Sequence, residues 1–310
     1  MPGSVGHWRE IPAAPAAAFK RFALTCSPET DCNPESGGRV FHSSGTTGVE
    51  TSRHFMDAAA LSLYRTSLKA AYSHFVCKEP GVILALMPPP SEAPHSSLSF
   101  MLEELEASFW WKNSDDNNRY GWTEKIAFWM KAQRKPYTIF GTAFAWVHFF
   151  DTISESFTLP EQCVIVETGG FKGRSREVSR DELYGLFTER LGVPPTHCIS
   201  EYGMSEMASQ FYDSALLDAV NGVERPLRKL APYWLKTRVL DPISGEDAPP
   251  GQPGLLAHYD LANLNSVLAI QTEDYGMAAD DGDGFVLLGR APGAVLRGCS
   301  LIAEESMNAK

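Results

Sequence analysis

Short apolar runs alternate with longer helical patterns between residues 54 and 200, and this alternation limits the possible folds more than any other feature of the sequence. We predict strands at 81–87, 137–140, 163–166 and 197–200, and helices at 54–76, 98–111, 122–134, 143–153 and 180–191. Strands that are apolar throughout are typical of a sheet with both faces buried, and their alternation with helices indicates parallel pairing. The expected fold class is therefore α/β, with a largely parallel sheet flanked by helices.

From residue 233 onward the pattern changes to short strands separated by turns, with turn signals at Asp241–Gly245 and Pro249–Gly251. This change predicts a smaller, antiparallel β subdomain after the α/β part. We therefore expect an irregular N-terminal approach over residues 1–40, an α/β core over residues 41–232, and a β-rich subdomain with the C-terminal tail over residues 233–310.

The composition argues against some classes of function. The formal net charge of −11 disfavours a nucleic-acid groove or an anionic membrane surface as the main partner. The sequence contains neither an export signal nor an apolar run long enough to cross a bilayer, so we expect a cytoplasmic location without a membrane span. The six cysteines form no C-x-x-C pair, which argues against a zinc ribbon or a thioredoxin-like site, and we expect reduced thiols.

A loop of small residues comes before the first long helical pattern. It consists of Ser43, Ser44, Gly45, Thr46, Thr47 and Gly48. The N–H and O–H donors of such a loop can surround a phosphate, and a helix beginning near Arg53 would add the partial positive charge of its N-terminus. Clusters of this composition are also common as plain solvent loops. No lysine follows Gly48, so the loop is neither G-x-x-x-x-G-K-[ST] nor G-x-G-x-x-G.

Two further segments of interest directly follow predicted strands, where ligands bind in open α/β sheets. In Glu167–Gly170, the two glycines would leave bare backbone for a flat ring to lie against. In Glu201–Glu206, Tyr202 can stack on a base, and the carboxylate of Glu206 is an oxygen ligand suited to Mg²⁺. The alternative for each segment is an ordinary turn, with a core tyrosine and a surface glutamate in the second.

Four segments, in chain order, resemble motifs of the adenylate-forming superfamily, which includes acyl-CoA synthetases and luciferases. Ser43–Gly48 resembles the SSGTTG phosphate loop, and Tyr202–Glu206 resembles the Tyr-Gly-x-Thr-Glu motif. Thr272–Asp274 resembles the Thr-Gly-Asp segment that holds the ribose hydroxyls, and Gly289–Arg290 resembles the Gly-Arg at the hinge between the large and small domains. The resemblance implies the large-domain fold of this superfamily, with a core over residues 41–232 that binds a nucleotide and an acyl group.

The sequence departs from these motifs at three places. Ser205 stands where the superfamily has threonine, and Glu273 stands where it has glycine. The common phosphate loop continues Gly-x-Pro-Lys, whereas Val49 to Arg53 follow here. A cationic contact to phosphate would then fall to Arg53 or to a residue elsewhere.

The resemblance implies that the chain binds ATP and Mg²⁺. The phosphate loop would hold the β- and γ-phosphates, two glycines and Tyr202 would frame the adenine, and Asp274 would bind the ribose. Glu206 with Thr46 or Thr47 would place the metal. The implied nucleotide site consists of Ser43, Ser44, Gly45, Thr46, Thr47, Gly48, Gly169, Gly170, Glu201, Tyr202, Gly203, Met204, Ser205 and Asp274, and the implied metal ligands are Glu206 and Thr47.

Three local features resemble the acyl-protein synthetase branch of the superfamily. They are Glu167–Gly173 followed by Arg174 and Arg180, Ser96–Met101 after Pro88–Pro90, and Arg297–Leu301 near the C-terminus. In that branch a cysteine at the position of Cys299 takes the acyl group from acyl-AMP and carries it as a thioester. A thiolate is a strong nucleophile, which Arg297 and Arg290 would favour here, although a free cysteine is more often structural.

Relatives continue beyond the hinge as a mobile small domain that bears a catalytic lysine, whereas this sequence stops at Lys310. We therefore expect the small C-terminal lid domain to be absent. The role of its lysine would then fall to Lys172, to Arg174 or to a partner.

The resemblance implies ATP-dependent activation of a carboxylic acid as acyl-AMP, followed by transfer to a thiol, with Cys299 as the leading candidate. The implied catalytic residues are Cys299, Glu206, Arg290 and Lys172. The implied partners are a fatty or aryl acid and an acyl carrier protein or downstream acyl-accepting reductase. Two alternatives stay open: adenylation with transfer to an acyl carrier protein or coenzyme A, and a non-catalytic scaffold that binds nucleotide or acyl groups.

An apolar acyl pocket is one hypothesis for a group of aromatic residues, although aromatics at this spacing more often pack a core helix. The group comprises Phe140, Phe144, Trp146, Phe149 and Phe150. His148 is likewise expected to be a core residue rather than a base.

Overall fold

The computed structural model describes residues 5–43, 51–78, 81–111, 121–169, 178–280 and 282–290. The strands are β1 (Ala14–Pro15), β2 (Arg39–His42), β3 (Arg53–Met56), β4 (Ile83–Leu86), β5 (Ser108–Phe109), β6 (Thr138–Thr142), β7 (Val164–Thr168), β8 (Cys198–Tyr202), β9 (Phe211–Asp213), β10 (Lys229–Leu230), β11 (Leu235–Leu240), β12 (Gly254–Asp260), β13 (Ala269–Ala278) and β14 (Phe285–Arg290). The helices are α1 (Ala18–Arg21), α2 (Ala58–Phe75), α3 (Ser97–Glu104), α4 (Gly121–Ala132), α5 (Ala143–Thr152), α6 (Arg180–Leu191) and α7 (Ala215–Asn221).

A twelve-stranded mixed sheet contains all of these strands except β2 and β3, which form a separate antiparallel pair. Its order is β11-β12-β13-β14-β10-β9-β8-β7-β6-β4-β5, with β1 beside β13. The five strands from β8 to β5 are parallel, whereas the strands from β8 through β9 and β10 to β11 pair antiparallel. The predicted fold class is therefore confirmed, with parallel strands flanked by helices and antiparallel strands towards the C-terminus.

The parallel strands separate two apolar cores, because successive side chains on a strand point to opposite faces of the sheet. On β6, Ile139 packs into one core and Phe140 into the other, and on β7 Ile165 and Val166 divide in the same way. Helices α4, α5 and α6 cover the first face, while α2, α3 and α7 cover the second. Both faces being buried explains why these strands are apolar throughout.

The helix predicted at 54–76 is wrong in its first turn, because residues 54–56 belong to β3. This strand pairs with β2 in a register that sets Phe41 opposite His54. Helix α2 begins only at Ala58, where the carboxylate of Asp57 caps it by accepting a 2.7 Å hydrogen bond from the N–H of Ala60. The Ser43–Gly48 segment therefore leads into a strand rather than a helix, and the expected contribution of a helix N-terminus directly after the loop is wrong.

The helix predicted at 98–111 is too long, because α3 ends at Glu104. Glu106 has a left-handed backbone with φ of 59°, which an α-helix cannot accommodate. The chain then forms the edge strand β5, where Ser108 lies opposite Leu84 of β4. Pairing with a neighbouring strand thus overrides the helical spacing of the apolar residues.

Strand β8 joins the parallel and antiparallel parts of the sheet, since it pairs parallel with β7 and antiparallel with β9. Strand β10 continues the antiparallel part by pairing with both β9 and β14. The division into residues 1–40, 41–232 and 233–310 stays a prediction. Within the part of the chain that the structure describes, we find no helix of the length and apolarity needed to cross a bilayer.

Candidate functional site

A cavity of about 250 Å³ lies where β7 and β8 end, beside β13 and β14. The described residues that line it are Ala16, Ser43, Thr168, Gly169, Ser200, Glu201, Tyr202, Gly203, Met204, Ser205, Glu206, Glu273, Asp274, Leu287, Gly289 and Arg290. The carboxyl ends of parallel strands are the usual place for ligands in open α/β sheets. The cavity therefore brings together three separate motif segments and Ser43, the first residue of the phosphate-loop motif.

Ten lining residues coincide with the predicted site. They are Ser43, Gly169, Glu201, Tyr202, Gly203, Met204, Ser205, Glu206, Asp274 and Arg290. The remaining predicted site residues lie outside the described part of the chain: Ser44, Gly45, Thr46, Thr47, Gly48, Gly170, Lys172 and Cys299. Their roles stay predictions.

Three lining residues lie outside the segments singled out from the sequence. Ser200 stands at a strand end directly before Glu201–Glu206, so the strand-end rule could have found it. Ala16 reaches the cavity because β1 pairs with β13, and Leu287 because it lies on β14. Neither of these two has a local sequence signal, since both depend on pairing between distant strands.

Tyr202 and Asp274 are joined by a hydrogen bond at the wall of the cavity. The hydroxyl of Tyr202 donates to Oδ2 of Asp274 at 2.8 Å. Arg290 Nε lies 3.1 Å from Oδ1 of the same carboxylate, and its Nη1 lies 3.0 Å from Glu273 Oε2. These contacts arise because β13 and β14 pair with Asp274 directly opposite Arg290. The guanidinium thus joins two carboxylates at the edge of the site.

The hydroxyl of Tyr202 is also supported from the protein interior. His258 is fully buried, and its Nε2 lies 3.3 Å from the Tyr202 oxygen while its Nδ1 lies 2.9 Å from the hydroxyl of Thr237. Burial lowers the pKa of His258 to about 3, so its ring is neutral at ordinary pH. Burial and the Asp274 carboxylate raise the pKa of Tyr202 well above its usual value, so its hydroxyl keeps the proton that it donates.

Glu201 is buried at the base of the cavity, where its carboxylate accepts a hydrogen bond from the hydroxyl of Thr168 on the neighbouring strand. Burial raises the pKa of this carboxyl group. A side chain at Gly203 would bring a Cβ to 2.6 Å from Glu201 Oε1. Any larger residue at this position would therefore require the Glu201 carboxylate to move.

A buried ion pair within the sheet binds the backbone of Ser200. Lys229 Nζ donates to the Ser200 carbonyl at 2.7 Å and lies 3.0 Å from Oδ1 of Asp213. Oδ2 of Asp213 accepts from the Ser200 N–H at 3.0 Å and also contacts Arg180. Nearby, burial raises the pKa of Glu167 to about 8, although Lys229 and Arg180 act in the opposite direction.

The turn that carries Glu206 is fixed through its backbone. Asn263 Nδ2 donates to the Glu206 carbonyl at 2.9 Å, and His54 Nδ1 lies 2.8 Å from the Ser205 carbonyl. The hydroxyl of Ser205 donates to the carbonyl of His42 at 3.2 Å. The side chain of Glu206 is itself buried and lines the cavity.

The chemistry of the described lining fits a magnesium nucleotide in several respects. Gly169 has φ of 90° and presents bare backbone, and Tyr202 presents an aromatic ring. The carboxylate of Asp274 can accept from hydroxyl groups, and that of Glu206 is an oxygen ligand of the kind that Mg²⁺ prefers. Among the described lining residues, four carboxylates stand against the guanidinium of Arg290. A bound triphosphate would therefore depend on a metal ion and on cations beyond this lining for charge neutralisation.

The aromatic group on α5 forms part of a core. Trp146, Phe149 and Phe150 are buried, and Trp146 packs edge-on against Phe187 with ring centroids 4.9 Å apart. Phe140 is buried in the core on the other face of the sheet. This packing supports the interpretation as core aromatics rather than as an acyl pocket. Burial lowers the pKa of His148 on the same helix.

Comparison with known structures shows the fold. ATP-bound MatB from Rhodopseudomonas palustris is similar with a TM-score of 0.55 and 17% identity, over 81% of this chain and 48% of that chain. The anthranilate CoA ligase AuaEII in complex with anthranoyl-AMP is similar with a TM-score of 0.54 and 13% identity, over 82% of this chain and 47% of that chain. The chain thus shares the fold of adenylate-forming enzymes while spanning about half the length of these two.

Comparison of sequences shows the family. The long-chain-fatty-acid–luciferin-component ligase of Vibrio harveyi is 24% identical over 153 residues, which is 47% of this chain and 38% of that protein. The chain therefore spans well under half the length of this curated relative. The family model of the acyl-protein synthetase LuxE matches residues 124–308, more than half of the chain. These residues include every predicted site segment except the phosphate loop, and the chain belongs to the LuxE acyl-protein synthetase family.

Proposed function

We propose that this chain activates a carboxylic acid with ATP. A carboxylate oxygen of the acid attacks the α-phosphorus, the bond from that phosphorus to the pyrophosphate oxygen breaks, and acyl-AMP and pyrophosphate result. The observation that carries this proposal is the single cavity that brings Tyr202, Glu206, Asp274 and Arg290 together from three segments distant in sequence. The fold and the family of the chain support it.

The described residues would bind and orient the nucleotide. Gly169 and Tyr202 would frame the adenine, and Asp274 would accept hydrogen bonds from the ribose hydroxyls. A carboxylate has enough acceptor positions to do this while it keeps its contact with the Tyr202 hydroxyl. Arg290, which lies between two carboxylates, would be oriented towards the nucleotide by its contact with Asp274. Positioning and charge neutralisation are the main contributions that a protein makes to such a step.

Glu206 would hold Mg²⁺, and Thr47 is proposed as a second ligand. The ion would neutralise phosphate charge and polarise the phosphoryl group under attack. Mg²⁺ is usually bound through one or two carboxylates together with phosphates and water, so one carboxylate of the chain would suffice here.

We further propose that the acyl group passes to the thiolate of Cys299. The sulfur attacks the acyl carbon, the bond from that carbon to the AMP oxygen breaks, and a thioester and AMP result. The family is that of acyl-protein synthetases, whose description names a protein as the acyl acceptor. Lys172 is proposed to supply the charge that a lid lysine provides elsewhere, and an acyl carrier protein or an acyl-accepting reductase would receive the group next.

The proposed acyl substrate is a long-chain fatty acid, which the name of the Vibrio harveyi relative mentions, with aryl acids as the second class. ATP–pyrophosphate exchange with a panel of fatty and aryl acids tests the activation step. We expect exchange that depends on Mg²⁺ and on one class of acid, and a chain that binds ATP without exchange for any acid would contradict the proposal.

Intact-mass measurement tests the transfer step. After incubation with ATP and the accepted acid, the chain should gain the mass of one acyl group, and hydroxylamine should remove it. Cys299→Ser should abolish this gain and leave pyrophosphate exchange within about threefold of wild type. Cys26→Ser is the matched control, because Cys26 is an exposed thiol outside the cavity. A hydroxylamine-labile acyl group in the Cys299→Ser protein would show that another residue is the acceptor.

A further inference from the structure

Ser205 connects the turn of Glu206 to both strands that flank the phosphate-loop segment. Its hydroxyl donates to the carbonyl of His42, the last residue of β2. Its own carbonyl is 2.8 Å from Nδ1 of His54, the second residue of β3. Since β2 and β3 are the strands before and after residues 43–52, one residue contacts both strands of this hairpin at the end next to those residues.

His54 is fully buried and donates the second of these hydrogen bonds. A carbonyl oxygen can only accept, so the proton must reside on Nδ1 of His54. Burial lowers the pKa of His54 to about 4, and the ring is therefore neutral with a single N–H. The ring of Phe19 packs edge-on against it with centroids 5.8 Å apart, which restricts its orientation.

The next carbonyl along the chain, that of Glu206, accepts a hydrogen bond from a different part of the protein. Asn263, in the 3₁₀ turn Leu261–Asn263, donates to the Glu206 carbonyl and, through the same amide group, to the carbonyl of Val267. Two successive carbonyls of the turn are therefore bound by buried side chains from different parts of the chain. Of these two side chains, only that of His54 belongs to the β2–β3 hairpin.

We propose that His54 is a positioning residue that fixes the Glu206 turn relative to the β2–β3 hairpin, and hence to Ser43, which follows β2 and lines the cavity. The inference rests on the proposed function in so far as Ser43 and Glu206 act on the same magnesium nucleotide. Ser43 and Glu206 are more than 150 residues apart in sequence, and the His54–Ser205 contact spans 151 positions. Loss of the hydrogen bond would let the two halves of the site shift relative to each other, and small misplacements cost rate in positioned reactions.

A pair of polar substitutions separates positioning from simple core packing. The amide nitrogen of asparagine can occupy the place of Nδ1, whereas that of glutamine corresponds to Nε2. We therefore expect His54→Asn to keep the bond to the Ser205 carbonyl and His54→Gln to lose it. His54→Leu removes the donor altogether. His197→Leu is the matched control, since His197 is half-buried before β8, at the end of that strand away from the cavity.

Two measurements on each variant give the result, with circular dichroism melting as the check on folding. In pyrophosphate exchange at saturating acid, His54→Gln and His54→Leu should lower kcat/KM for ATP about tenfold, as expected for one buried hydrogen bond. His54→Asn and the control should stay within about threefold. Hydrogen exchange should accelerate in peptides covering residues 39–42 and 53–56 of the Gln and Leu variants only. If the Leu variant does not fold, the comparison of Gln with Asn carries the test.

Equal kinetics and equal hydrogen exchange in the Asn, Gln and wild-type proteins would overturn the proposal, and so would equal losses in Asn and Gln. The test is separable from that of the proposed function. If the wild type shows no pyrophosphate exchange with any acid, then the hydrogen-exchange pattern and the dissociation constant for ATP, measured by calorimetry with Mg²⁺, still decide the role of His54.

Discussion

The hydroxyl of Tyr202 donates a 2.8 Å hydrogen bond to the carboxylate of Asp274, and these two residues stand 72 positions apart in the sequence. The contact joins the end of a strand in the parallel part of the sheet to the middle of a strand in the antiparallel part. His258 supports the tyrosine from the interior, and Arg290 contacts the other oxygen of the carboxylate. Both residues of the pair therefore have a fixed orientation at the wall of the cavity.

Tyr202→Phe should weaken both the fold and ATP binding. The substitution removes the donor to Asp274 and leaves the buried His258 without its acceptor, so the free energy of unfolding should fall by about 1–3 kcal/mol. The dissociation constant for ATP should rise several-fold because Asp274 loses its support. Urea unfolding and calorimetry measure the two effects. Tyr233→Phe, at a side chain that is 84% exposed, should change neither, and an unchanged Tyr202→Phe protein would contradict the role of the pair.

Asp274→Asn should raise KM for ATP about tenfold or more in pyrophosphate exchange, because the charge that holds Arg290 and the proposed ribose contact are both lost. The ratio of KM values for 2′-deoxy-ATP and ATP should move towards one. Glu273→Gln is the matched control on the same strand, since it contacts Arg290 through a different nitrogen and should change KM less than threefold. If Asp274→Asn kept the wild-type ratio of KM values for 2′-deoxy-ATP and ATP, this residue would not be the ribose ligand.

Glu206→Ala should lower kcat for pyrophosphate exchange about a hundredfold and change the dissociation constant for ATP much less. The reason is that a metal ligand acts mainly on the charge that develops during the reaction. Raising the Mg²⁺ concentration should restore part of the lost rate. Glu246→Ala, at an exposed turn position, serves as the control. A Glu206→Ala enzyme as fast as wild type would remove this residue from the proposed mechanism.

Glu167 should make the stability of the protein fall as pH rises. Burial raises the pKa of this carboxyl group from 4.5 to about 8, so the folded state holds its proton over a range where the unfolded state has released it. The free energy of unfolding therefore falls as pH rises from about 4.5 to 8, because only the unfolded chain releases this proton readily in that range. Glu167→Gln keeps a neutral side chain and should lack this part of the pH dependence.

Urea unfolding of wild type and Glu167→Gln at pH 6.0 and 8.5 measures the effect. The stability advantage of the variant should grow from the lower to the higher pH. Glu182→Gln, on the exposed first turn of α6, controls for a general change in charge. Parallel pH dependences in wild type and Glu167→Gln would show that Glu167 ionises normally in the folded protein, held by Lys229 and Arg180.

Much of the fold could be predicted because its signals are local. The strands of the parallel sheet are apolar throughout, and α6 has the predicted bounds because Ser179 caps its start and Gly192, with φ of 69°, ends it. The errors at residues 54–56 and 105–109 have one cause. In both places apolar spacing favoured a helix, while pairing with β2 or β4 supplied backbone partners that spacing cannot indicate.

The sequence alone determined the order and chemistry of the motifs at Ser43, Tyr202–Glu206, Asp274 and Arg290, because residue types and local spacing are properties of the chain itself. Only the tertiary structure decided that Asp274 stands opposite Arg290, that His258 supports Tyr202, and that His54 holds the Ser205 carbonyl. Those contacts depend on the register of distant strands and on which buried donor meets which acceptor. No local pattern encodes such a choice, since it is made by packing and hydrogen bonding across the whole sheet.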